Sequence, residues 1–427
     1  MKRRKMMKIS KRIRGLILVL GLAAALIAFI APGGALAEKP IKIGLIDPYT
    51  GAAAAFGKPA LIGWKIAVDE FNARGGLNGR KIELITRDSK FKADEALAHA
   101  RELLLKERVD FIGGTTSSSV ALAVSEFLRK KKKLFMVSIS RSHRITGEKG
   151  HKYIFRGCPS AAIEGLAGGY YAASTPYKKW YIIGDDYEYG HSIAENFWKG
   201  LKQLKPDVEL IGEAWPKLKE TDYTSYLTAI EGKKPEAVFT AFGASGLIPF
   251  SKQAKLFGLY EKFPVFCFGL GDSVFPKALK ENTPVGAFAA TNYTSYYPDT
   301  PANKAFVKKY LAYTTKEGKP DPYPSGIAAF GPYCAAKFLT EAILKAGSVD
   351  TEKVIKALEG LTIQTAVGPI TMRACDHQAM TPVFWGKLAK VSGYPFPIMT
   401  EIVETPADKV MPTCQEIAAT RKAAKGK

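Results

Sequence analysis

Apolar residues along this chain fall into short runs that alternate with stretches carrying one apolar face. Residues 41–46 form a run of the length and composition of a buried strand, and 48–57 a Gly/Ala-rich loop. From Pro59 onward, Ala60, Trp64, Ala67, Val68 and Phe71 recur at helical spacing on one face, and Gly75-Gly76 ends the helix. Strands are predicted at 81–86, 109–112 and 134–137, with helices at 93–106 and 118–130 between them. This βαβαβαβ rhythm is the signature of a parallel sheet with helices on both faces. After a break at 153–159 the rhythm restarts: strands at 180–183, 208–214, 237–241 and 265–268, helices at 192–204, 223–230 and 247–257. A third section carries helices at 302–314, 327–346 and 351–358, then a break at Gly368-Pro369. The basic tail after Arg421 is expected to be disordered.

The N-terminus has a different pattern. Eight Lys/Arg and no acids lie within the first 14 residues, followed by an uncharged run to Ala37 that is apolar through Ala31. The run ends in Ala35-Leu36-Ala37, a small-x-small cleavage site, so residues 1–37 read as a secretory signal peptide. The apolar core at 16–31 is shorter than the roughly 20 residues of a membrane span. No cysteine follows it, which argues against a lipid anchor. The mature chain should begin at Glu38 and work, soluble, in the periplasm.

Charge and cysteine content sharpen this picture. The formal net charge is +22, and loss of eight positives with the signal peptide leaves +14. Lys is spread along the chain, and the one dense run, Arg129 to Lys133, reads as a solvated helix end. It has no interleaved aromatics, so a nucleic-acid partner is not expected. Five cysteines are too few for a disulfide scaffold. Cys267 and Cys334 sit in apolar runs and read as buried small hydrophobes. Cys375 and Cys414 lie in polar loop sequence, where an oxidising compartment permits a bridge, and that pairing is expected; Cys158 is then left over.

In doubly wound sheets ligands bind beyond the carboxyl ends of the strands. Those ends are rich in Ser, Thr, Gly, Asp and aromatics. The run Gly113-Gly114-Thr115-Thr116-Ser117-Ser118-Ser119 opens a helix, where backbone N–H groups and hydroxyls suit a carboxylate. No catalytic constellation accompanies it. The stretch 51–58 is one residue too long for a phosphate loop and has Pro59 where Ser/Thr would hold magnesium. Gly243-Ala244-Ser245-Gly246-Leu247 misses a nucleophile elbow at its last position. Gly269-x-Gly271 lacks the third glycine of a dinucleotide loop, and the five His show no paired metal spacing. No enzyme activity, metal or cofactor is expected.

Several of these stretches resemble one family. Ile41-Lys42-Ile43-Gly44, Thr50-Gly51-x4-Phe56-Gly57, the stretch from Ala67-Val68-Asp69-Glu70-Phe71-Asn72 to Gly75-Gly76-Leu77-Asn78-Gly79-Arg80, Phe155-Arg156, Asp186-Tyr187-x-Tyr189-Gly190 and Val367-Gly368-Pro369-Ile370 are similar to the leucine/isoleucine/valine-binding group of periplasmic solute-binding proteins of ABC transporters. The resemblance implies a type I periplasmic-binding fold: two doubly wound, Rossmann-like α/β lobes joined by a three-strand hinge and closing on ligand. The crossings are expected near Gly157, Gly286 and Pro369. That puts 38–157 and 287–368 in lobe 1, and 158–286 and 369–427 in lobe 2.

The resemblance also implies a site. Ser117 and Ser118 would receive a ligand carboxylate. Ser140, Arg141 and Ser142 would contact carboxylate and ammonium, Phe56 and Phe242 would wall the ligand, Gly243 would lie beside it, and Tyr189 would close the cleft from lobe 2. The amino-acid binders carry an ammonium-pairing acid after the strand ending at Phe268; here Leu270 or Gly271 falls there, with Asp272 close by. That departure, with Arg141 in place, suits a more anionic or non-amino ligand; Arg141 also reads as a solvated or an inter-lobe salt-bridging residue. The expected function is capture of a small carboxylate-bearing solute, a branched-chain or hydrophobic amino acid or a related acid or amide, by a monomer that delivers it to a permease and ATPase complex. The alternative is a ligand-sensing subunit using the same cleft.

Overall fold

The computed structural model describes residues 39–51, 53–243 and 246–426. The signal-peptide segment lies outside the described residues. The first sheet contains β1 (Ile41–Asp47), β2 (Ile82–Asp88), β3 (Phe111–Gly114), β4 (Phe135–Val137) and β5 (Ile154–Arg156). Their spatial order is β2-β1-β3-β4-β5, parallel throughout. The crossovers are α1 (Ala54–Ala73), α2 (Ala93–Leu105) and α3 (Ser118–Lys130). Trp64 and Phe71 of α1 are fully buried with Ile41, Ile43 and Leu45 of β1, which is the face the apolar spacing predicts.

The second sheet repeats the wiring. It contains β6 (Lys179–Gly184), β7 (Glu209–Ala214), β8 (Ala237–Ala241), β9 (Val265–Phe268) and β10 (Phe288–Thr291). Beyond a hairpin of β11 (Thr362–Thr365) and β12 (Gly368–Thr371), β13 (Val383–Ala389) and β14 (Ile398–Thr405) extend it antiparallel. The order is β14-β13-β10-β9-β8-β6-β7. Its helices are α4 (Ala161–Ala173), α5 (Glu188–Leu204), α6 (Thr224–Lys233), α7 (Leu247–Leu256), α8 (Leu259–Lys262) and α9 (Val274–Leu279). The first lobe regains α10 (Pro301–Lys316), α11 (Gly331–Ala346) and α12 (Thr351–Leu358), and α13 (Cys414–Lys425) closes the chain.

Two crossings differ from expectation. The first falls at 157–160, between β5 and α4. The second lies after β10 rather than at Gly286, because β10 pairs with β9 and β13; Tyr293 then joins the first-lobe core. The third lies after Ala379 rather than at Pro369, because Ile370, Met372 and Ala379 pack in the first-lobe core and Val383 in the second. Nor does the last helix, α13, stay with lobe 2 or fray at Arg421. Arg421 lies within α13 and donates to the carbonyls of Thr146, Gly147 and Cys375.

Cys375 and Cys414 are bridged, with Cα atoms 5.9 Å apart and 39 residues of separation; Cys158, Cys267 and Cys334 are buried thiols. Closing a loop of that length stabilises by about 2–4 kcal/mol. Replacing both cysteines by serine is expected to release α13, so that trypsin cuts after Arg421 in the variant and not in the wild type. Mass spectrometry of the digest checks this, and equal resistance would contradict it.

Candidate ligand-binding site

Both sheets run in the order 2-1-3-4-5, so each lobe has a switch point between its first and third strands, where doubly wound sheets bind ligands. The carboxyl ends of β1 and β3 face those of β6 and β8 across a cleft. The first strand of each lobe ends in a buried aspartate that fastens the loop after the third strand. Asp47 accepts from the Thr116 hydroxyl at 2.9 Å, and Asp185 from the Gly243 N–H at 2.8 Å. Burial pushes the Asp47 carboxyl up to about 7 and that of Asp185 to about 6.

The sign for Asp47 follows directly. Its folded value lies above the ordinary 3.8, so between about pH 4 and 7 the unfolded chain gives up the proton first and stability falls as pH rises. Asp47→Asn should flatten that part of the profile and raise the melting temperature at about pH 8 relative to wild type. Melts at both ends of the window test it; an unchanged pH dependence would contradict it.

A cavity lies between the switch points. Its apolar walls are Phe56, Phe91 and Ile139 from lobe 1, and Phe242, Phe268 and Phe275 from lobe 2. Its polar lining is Thr116, Ser118 and Arg141 on one side, and Tyr187, Tyr189 and Gly243 on the other. The space open to the centre of a water-sized sphere is about 60 Å³. One water needs at least about 10–15 Å³ of such space, so the cavity suits a small solute and excludes a peptide or oligosaccharide.

The structure therefore brings six of the expected residues together: Phe56, Ser118, Arg141, Tyr189, Phe242 and Gly243. Phe56 sits in the first turn of α1, which begins at Ala54 rather than at Pro59, and Tyr189 in the first turn of α5, not in a loop. The other four stand outside the lining. Ser117 caps α3, and its hydroxyl lies 2.8 Å from that of Tyr187. Tyr187 also accepts the Ser118 N–H at 2.7 Å. A second-lobe phenol thus takes the helix N-terminal seat expected for a ligand carboxylate. Ser140 is turned to the carbonyls of Thr115 and Ser117, at 2.8 and 2.9 Å, and braces the loop. The Ser142 hydroxyl donates to Glu188 across the lobes at 2.6 Å. Asp272 is fully buried, accepting from the backbone N–H groups of Ile327 at 2.7 Å and Val274 at 3.1 Å. It fixes the π-helical turn Gly326–Phe330, which carries Ile327 to the cavity wall, and is not placed to meet an ammonium.

Arg141 is the inter-lobe residue. Its guanidinium pairs with Glu164 of α4, both nearly inaccessible, and lies 5.6 Å from the Phe268 ring centroid. Tyr189 donates to the same carboxylate at 3.4 Å. Sequence reading missed Glu164 because α4, AAIEGLAGGYYAA, was not among the predicted elements: its glycines weaken the helical signal. The glycines are there for contact: a Cβ on Gly169 would come 2.4 Å from Leu201 N, and one on Gly165 2.7 Å from Phe197 N, so α4 and α5 can approach only without side chains there. Tyr187 lay in a motif that was read, but its role depends on lobe closure. Among the described residues no group of His, Cys, Asp and Glu could hold a metal ion.

Two lobes of identical wiring, hinged by three crossings around a small mixed cavity, define a solute-binding protein of the type I periplasmic fold. The model of the periplasmic binding protein family matches residues 40–392, and the chain belongs to that family. It is a solute-binding protein of the ABC-transporter kind. It is 26% identical over 383 residues to Leu/Ile/Val-binding protein homolog 4 of Brucella melitensis, covering 87% of this chain and 89% of that one. It is 27% identical over 344 residues to the leucine-, isoleucine-, valine-, threonine- and alanine-binding protein of Pseudomonas aeruginosa, covering 78% and 86%. A solute-binding protein of Rhodopseudomonas palustris, crystallised with 3,4-dihydroxybenzoic acid, superposes with a TM-score of 0.75 at 25% identity, covering 86% of this chain and 98% of that one.

Proposed function

We propose that this protein captures a small hydrophobic or aromatic carboxylate lacking an α-ammonium group, and presents it in the closed form to an inner-membrane permease and ATPase. The reading rests on one observation. The cavity has phenylalanine walls from both lobes and the Arg141 guanidinium in its lining, while among the described residues no Asp or Glu lines it: Glu164 pairs with Arg141, Asp272 accepts backbone N–H groups, and Asp47 and Asp185 hold the loops after β3 and β8. An α-ammonium would find no carboxylate in that lining, and a buried cation without one is costly. A carboxylate would instead meet the Arg141 guanidinium, whose Nε has no hydrogen-bond partner among the described residues, beside the Ser118 hydroxyl. The relative crystallised with 3,4-dihydroxybenzoic acid is consistent with this choice, and the amino-acid-binding relatives define the competing one. The working form is a monomer in the periplasm, cleaved after Ala37.

A thermal-shift screen separates the two ligand classes. A solute at about 100 times its dissociation constant stabilises by roughly 2.7 kcal/mol. Aromatic and branched aliphatic carboxylates should raise the melting temperature, and leucine, isoleucine and valine should not. The reverse pattern would assign the cleft to amino acids. Intact-mass analysis of the exported protein, with Glu38 at its N-terminus, tests the location; retention of the apolar segment 16–31 would contradict it.

A further inference from the structure

The end of lobe 1 farthest from the cleft carries a second surface. There the N-terminal end of β3 lies beside the C-terminal ends of α2 and α3. Two separate stretches, 101–108 and 131–133, bring Arg101, Lys106, Arg108, Lys131, Lys132 and Lys133 to this pole. All are exposed except Lys133, which is half-buried. The acids nearby are already engaged. Arg87 holds Glu102 and Glu107, Arg129 and Lys130 hold Glu126, and Asp110 accepts the backbone N–H of Lys42 at 2.9 Å. Among the described residues none of the six cations makes an ion pair. They surround apolar surface: Leu104, Leu105 and Phe127 line a shallow groove, Leu105 is 73% exposed, and Arg101 lies over the Phe127 ring at 5.7 Å.

We propose that this pole is a membrane-association surface that holds the free protein against anionic phospholipid headgroups. Cations at the end of a helix are ordinarily explained by the helix dipole. That accounts for Lys131 to Lys133 after α3 and for Lys106 and Arg108 after α2, but not for Arg101 within α2 or for a bare leucine among them. The arrangement is a patch rather than a track: the charges come from two stretches around one apolar centre, so the fit is to a surface and not to an extended acidic chain. An interfacial patch draws on electrostatic attraction and on insertion of apolar groups, and this pole has both. Its consequence is positional. A chain adsorbed to the bilayer searches for its permease in two dimensions, with its cleft at the opposite end of the lobe and open to solute.

Co-sedimentation of the mature chain with vesicles tests this. Each Lys or Arg near an anionic surface contributes a factor of about five to affinity. The wild type should bind vesicles containing about one third phosphatidylglycerol at low salt, ignore pure phosphatidylcholine, and dissociate at about 1 M salt, where the screening length is about 3 Å. Lys131→Glu/Lys132→Glu/Lys133→Glu should lower binding at least about 100-fold. Lys308→Glu/Lys316→Glu/Lys319→Glu changes the net charge equally on α10 and the turn after it, and should lose far less. Both variants should keep the wild-type melting temperature. Equal loss in the two would mean that bulk charge and not this pole attracts the protein, and would overturn the proposal. So would binding to polyglutamate with none to the vesicles, which would assign the pole to an acidic protein.

Discussion

Arg141→Met is expected to weaken solute binding by two or more orders of magnitude while leaving the protein folded. The substitution strands Glu164, which is fully buried in the closed form. Breaking a buried ion pair from one side costs about 3–5 kcal/mol, because the remaining charge is uncompensated. Arg141 and Glu164 belong to different lobes, so the molecule can return Glu164 to water by opening. The cost therefore falls on closure, and through closure on affinity, rather than on the stability of either lobe. Calorimetric titration with the strongest solute from the screen measures the first part, and small-angle scattering measures the shift toward the open form. Wild-type affinity in this variant would contradict the role given to the pair.

Arg156→Ala should act on stability instead, lowering the melting temperature by about 10 °C. Arg156 is fully buried with no carboxylate partner among the described residues, and burial pushes its guanidinium down to about 10. It stays charged at neutral pH because oxygen acceptors surround it: Gln378 Oε1 at 2.6 Å, the Ser142 carbonyl at 2.7 Å and the Thr146 hydroxyl at 2.7 Å. Each acceptor left unpaired costs about 1–3 kcal/mol, and a total of about 3–5 kcal/mol corresponds to a shift of that size in a lobe of this length. The residue ties the segment that carries Arg141 to the third crossing, so solute binding should fall as well. A melting temperature within about 2 °C of wild type would contradict this account.

The alternation of apolar runs and amphipathic helices made both lobes legible, because parallel strands buried on two faces leave continuous hydrophobic runs and their crossover helices keep one apolar stripe. What escaped were elements whose sequence signal is weak for a physical reason. β5 is Ile-Phe-Arg and β10 Phe-Ala-Ala-Thr, short runs whose apolar signal is diluted by a charge or by alanines. α4 went unpredicted because close helix packing requires glycines, which lower helix propensity. β13 and β14 only extend an existing sheet antiparallel, after the rhythm that identified the fold has ended. Within the site, residues fixed by their own strand or loop, such as Phe56, Arg141 and Phe242, could be named from sequence. Glu164 and the seat of Tyr187 could not, because both depend on one lobe meeting the other.

That meeting of lobes around a solute is the central claim, and Gly243→Leu tests it most directly. Gly243 lines the cavity, and a Cβ there meets nothing closer than 3.6 Å, so the backbone accepts a side chain that fills the solute's space. Titration of the same solute into wild type and variant, with the melting temperature of each measured without solute, gives the answer. The account predicts an unchanged melting temperature and binding weakened at least about 100-fold, about 2.7 kcal/mol. Full affinity in Gly243→Leu would place the solute somewhere other than between the lobes.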